Sequence, residues 1–146
     1  MQSVLDSSYA STLKSRVQKL KPDSARRWGK MSIDQMLQHV NRGLEMALGR
    51  RTAAPAKTPL PPTLMRMIVL NMPWPKGAPT LPELLVTVPC SFEAEQTQCV
   101  RLIDEISAKT VKEPWPDHAA FGTMSGTQWS QLMAKHVDHH LKQFGN

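Results

Sequence analysis

Nine of the twelve prolines in this 146-residue chain fall between Pro55 and Pro89. A proline inside a helix removes a backbone hydrogen bond and drives its ring into the preceding turn, so this stretch cannot be one long helix. Regular architecture must come from the segments on either side, with residues 50–90 as a proline-rich insert. The insert holds one apolar run, Leu64 to Leu70, which fits two helical turns or a buried strand equally well. Leu84 to Val88 is the only β-rich run, and it too lies among prolines.

Four flanking segments have helical periodicity. The first, Val4 to Lys21, places Leu5, Ala10, Leu13, Val17 and Leu20 near one face and stops before Pro22. The second begins at Ser32 with Gln35 three residues on, a capping-box pattern, and carries Ile33, Leu37, Val40, Leu44 and Leu48 as far as Gly49. The third begins near Ser91 with Phe92, Cys99, Leu102, Ile103 and Ile106. The fourth begins at Ser125 with Gln128, a second capping box, and runs through Trp129, Leu132, Met133, Val137 and Leu141. Four such segments predict an all-α protein, a four-helix bundle forming a single domain over residues 1–146. About forty residues separate the second and third helices, against about ten and about fifteen for the other connections. A connection that long can cross the bundle, so helices two and three are expected to run parallel.

Composition narrows the function classes. No run of about 18 apolar residues occurs, so no membrane span is expected. The first twenty residues lack the apolar core and cleavage site of a secretory signal. Cys90 and Cys99 form no disulfide framework, and a cytoplasmic location is expected. The net charge is +6, and thirteen of the eighteen Lys and Arg lie in residues 1–76. Such a surface can attract acidic small molecules or nucleic acid. The chain has no dense basic tract, zinc-finger spacing or RNA-binding aromatic motif, so nucleic acid ranks last among partners.

The chemistry-bearing residues are histidines: His39, His118, His136, His139 and His140. At about 100° per residue, His140 lies about 40° from His136 on a helix, with Trp129 and Met133 on the same stripe. His139 falls at its edge, and Asp138 points away. Imidazoles at i and i+4 on one face can chelate one ion, and they can equally be hydrogen-bonded core residues. His39 is the candidate third ligand, beside the apolar stripe of helix two, with Gly43 one turn on removing side-chain bulk. Three neutral imidazoles and a vacant position suit a catalytic metal more than a structural one, and zinc, nickel, copper or iron would fit. Gln35 and Gln143 could hydrogen-bond the ligands from behind, or serve as a cap and a surface residue. No Ser-His-Asp or Cys-His catalytic motif is present, and the seven glycines are too dispersed for a phosphate loop.

The tail Trp129-Ser-Gln-Leu-Met-Ala-Lys-His136-Val-Asp-His139-His140-Leu-Lys-Gln143-Phe144-Gly145 resembles the C-terminal signature of a DinB-like subfamily. His118-Ala-Ala-Phe121-Gly122 resembles that subfamily's His-Pro-x-Phe-Gly, with Ala119 where the pattern has proline. Arg27-Trp28-Gly29-Lys30-Met31-Ser32 and Gln35-Met36-Leu37-Gln38-His39 extend the likeness upstream. The resemblance implies a four-helix bundle with a long crossover between helices two and three. It implies a divalent metal on His39, His136 and His140, and a homodimer. The departure at Ala119 leaves any part for His118 near the site open. DinB-like relatives include thiol-dependent transferases and a mycothiol-dependent isomerase.

The leading functional expectation is a divalent-metal-dependent enzyme, a thiol-dependent transferase or a hydrolase acting on a small molecule, with a low-molecular-weight thiol as possible second cofactor. The alternative is a non-catalytic metal- or ligand-binding module of a stress response.

Overall fold

Each of the four flanking segments forms a helix in the computed structural model, which describes all 146 residues. They are α1 (Ser7–Lys19), α2 (Ile33–Ala47), α4 (Phe92–Ser107) and α5 (Gly126–Gln143), with α3 (Pro62–Asn71) lying inside the insert. No β-strand forms. The caps follow from the side chains. Asp6 accepts the backbone N–H of Tyr9 at 2.9 Å, so α1 starts later than periodicity alone predicts. Ser32 N–H donates to Gln35 Oε1 at 3.0 Å. Ser125 and Gln128 exchange both bonds of a capping box, at 3.0 and 3.2 Å.

The proline-rich insert resolves the two ambiguous runs. Leu64 to Leu70 is helical, entered at Pro62 where a missing N–H costs nothing. The β-rich run from Leu84 pairs with nothing; a single 3-10 turn (Pro82–Leu84) ends on its first residue.

Side-chain contacts fix the helix directions pair by pair. Along α2 and α4 they advance together: Cys90 N–H donates to Asp34 Oδ2 (2.9 Å), Asn41 Nδ2 to the Glu95 carbonyl (3.0 Å), and Arg50 pairs with Glu105. These helices run parallel. Along α1 and α4 they advance oppositely, Gln96 Nε2 donating to the Val17 carbonyl (2.9 Å) while Lys14 pairs with Asp104. α1 and α5 are parallel, joined by Ser3–Ser130 and Arg16–Asp138, each at 2.8 Å. The buried apolar side chains of all five helices form one continuous cluster, centred on Trp129, Leu13, Leu37, Leu44, Leu102 and Ile103. No helix is long and apolar enough to cross a membrane.

Candidate metal centre

His39 on α2 and His136 and His140 on α5 meet where these two helices face each other. Each offers a ring nitrogen, and the three nitrogens lie within 4.8 Å of one another. All three side chains are buried, at 2, 7 and 9 % exposure. The i, i+4 spacing puts His136 and His140 on one stripe of α5, with ring centroids 4.9 Å apart. Gly43 provides room opposite: a Cβ there would lie 2.9 Å from Cε1 and Nδ1 of His136.

Hydrogen bonds settle the tautomers of two rings. His39 Nδ1 lies 2.9 Å from the Leu84 carbonyl, which can only accept, so Nδ1 carries the proton and Nε2 is bare. Gln143 Nε2 donates to the Trp28 carbonyl at 2.9 Å, which fixes its amide and leaves Oε1 to accept from His140 Nδ1–H at 2.8 Å. His140 Nε2 is therefore bare as well. A carbonyl oxygen behind Nδ1 is the arrangement that orients metal-ligating imidazoles. His136 Nε2 faces His39 Nε2 at 2.9 Å, and His136 Nδ1 is buried with no partner. Either His136 donates to His39, or both lone pairs point at one cation. The donor set therefore fits a divalent ion.

Electrostatics keep the rings unprotonated. Burial lowers the His39 pKa, with the charges of Arg42 and His139 adding to it. Burial and the neighbouring imidazoles hold His136 well below the ordinary histidine value, and His140 falls to about 3 for the same reasons. Neutral imidazole is the form that ligates. Neither thiol belongs to the cluster, and both are held in the protonated form. Burial and Asp34 push Cys90 up to about 11, and burial pushes Cys99 to about 12.

The structure divides the other candidates. Gln143 reaches the cluster, its Oε1 2.8 Å from His140 Nδ1. Gln35 does not reach the cluster, because its side-chain oxygen is spent on Ser32 N–H at the start of α2. His118 does not reach it either. Its Nδ1 accepts Ala120 N–H at 3.1 Å, and its ring stacks on Phe121 at 4.2 Å. It faces a separate cavity of about 170 Å³ beside Met46, Arg51, Asp117 and Trp129.

Three contributors escaped sequence reasoning: the Leu84 carbonyl, Trp74 and Trp28. Trp74 comes from the insert and lies over His136 (6.1 Å) and His139 (5.4 Å). Trp28 packs against His139 at 5.6 Å. Only the Trp28-Gly29 dipeptide carried a signal. The loop holding it is fastened to the end of α5, Arg27 N–H donating to the Gln143 carbonyl at 2.8 Å.

A family model described as a protein of unknown function, DUF1569, matches residues 4–146. No curated protein and no solved structure matches the chain.

Proposed function

The chain belongs to the DUF1569 family, and we propose that it is a divalent-metal protein acting on a small molecule, as a thiol-dependent transferase or a hydrolase. One observation carries this reading: three buried, neutral imidazoles converge, two of them backed at Nδ1 by an oxygen acceptor. A divalent ion held by His39, His136 and His140 would supply positive charge that lowers the pKa of a water or thiol at its remaining position. The protein's own contributions are distinct. Leu84 and Gln143 hold the Nε2 lone pairs of His39 and His140 toward one point. Trp74 lies against the ring of His136 at 6.1 Å. Cys90 and Cys99 remain protonated, so a thiol nucleophile would come from outside the chain.

We read α1, α2, α4 and α5 as a DinB-like four-helix bundle crossed by the insert; the parallel course of α2 and α4 supports this. The second reading, a binding module without turnover, is favoured by the depth of the histidines and the lack of a carboxylate among them.

Metal content of tag-free protein tests the proposal. The wild type should retain about one divalent ion per chain, and His39→Ala and His136→Ala should lose it. Unchanged content in both variants refutes the site. Tight metal with no turnover of thiol and ester substrates selects the binding module.

A further inference from the structure

A layer of half-buried rings lies between the histidine cluster and solvent. His139, next in sequence to His140, packs between Trp28 at 5.6 Å and Trp74 at 5.4 Å. His139 also meets His140 edge-on at 5.2 Å. Each tryptophan carries a lysine ammonium: Lys76 over Trp28 at 5.2 Å, and Lys135 over Trp74 at 5.6 Å. The two lysines differ in their freedom. Lys135 Nζ is committed to the Val69 and Leu70 carbonyls at 2.8 and 3.2 Å, where it closes the end of α3. Lys76 is exposed and has no ion-pair or hydrogen-bond partner. Arg26 and Lys30, two residues either side of Trp28, are exposed and form no salt bridge, although Arg26 donates to the Lys30 and Met31 carbonyls at 3.0 and 2.9 Å. The nearest acid in sequence to the histidines, Asp138, is engaged by Arg16 and Lys142, each at 2.8 Å.

We propose that this ring layer is the entrance to the metal centre and selects a small anion with a flat apolar body, the body received by Trp28 and Trp74 and the charge by Lys76. The inference rests on the metal reading of the site and deepens it by naming the substrate class. The chemistry of the parts supports it. Aromatic faces hold planar apolar groups. An exposed ammonium held by nothing but a ring face is free to turn to a carboxylate. Uncompensated cations at an entrance also raise the local concentration of anions. Were this layer only packing, an unpaired lysine at its surface would have no consequence for binding.

Calorimetry on zinc-loaded protein tests the entrance with benzoate and benzamide, which share a shape and differ in charge. Benzoate should bind at least about fivefold more tightly. Lys76→Glu should weaken benzoate by about tenfold while leaving benzamide and zinc content unchanged. Trp28→Leu, which keeps the backbone carbonyl used by Gln143, should weaken both probes. Equal binding of the two probes overturns the proposal. So does benzoate binding that Lys76→Glu does not alter, which would mean direct coordination alone. Absence of binding to both zinc-loaded and zinc-free protein overturns it too. If the chain fails to retain zinc while zinc-free protein keeps the Lys76-dependent charge preference, the entrance stands and the metal reading falls.

Discussion

At the scale of single residues, the candidate centre depends on the absence of one carbon atom. Gly43 lies against His136, and an added Cβ would meet two ring atoms at 2.9 Å. Gly43→Ala should therefore push the ring aside, lowering zinc affinity at least about tenfold and costing about 1–3 kcal/mol in stability. Competition with a chelator and a denaturant titration would measure both; unchanged affinity would mean that His136 is not a ligand. His118 gives a separate pH prediction. Burial lowers its pKa from 6.5 to about 4, so the unfolded chain binds more protons between those values. Stability from this group is complete above about pH 6.5 and is lost as pH falls toward 4, by at most about 3 kcal/mol. His118→Gln should show a smaller drop in Tm between pH 7 and pH 4.5 than the wild type. An equal drop would show that His118 is accessible to protons in the folded state.

At the scale of elements, the loop before α2 and the end of α5 form a clasp. Arg27 N–H, the Trp28 carbonyl and Gly29 all meet Gln143, and the Arg27 side chain lies against Gly145. Gly29 has φ +83°, and a Cβ on it would stand 2.5 Å from Gln143 Nε2. Gly29→Ala is expected to cost about 1–3 kcal/mol and to weaken zinc binding, because Gln143 orients His140. A loss of stability with zinc affinity intact would separate the clasp from the site. The helices themselves were legible in the sequence because their signals are local. Ser32 with Gln35 and Ser125 with Gln128 mark their starts, and the 3.6-residue period marks their buried faces. The same local rule decides between the two roles open to Gln35, since a glutamine at the third helical position can cap or support a ligand, and the cap won. Leu84 and Trp74 were illegible because their positions depend on how a proline-rich path returns to the bundle, which no periodicity encodes.

At the scale of the molecule, the candidate centre joins α2, α5 and the insert, so occupancy should stabilise all three together. Zinc at about 100 times its Kd would add about 2.7 kcal/mol. In a chain of this size that is a rise of roughly 6–12 °C in Tm, absent from His136→Ala. A wild-type Tm indifferent to zinc would leave the histidines as core residues. Leu84 holds His39 through its main-chain oxygen. Every residue type has that oxygen, so exchange of the leucine side chain leaves the acceptor in place. The insert can drift in composition as long as its path is kept. A catalogue of invariant positions would then overlook the partner that decides which nitrogen of His39 is bare.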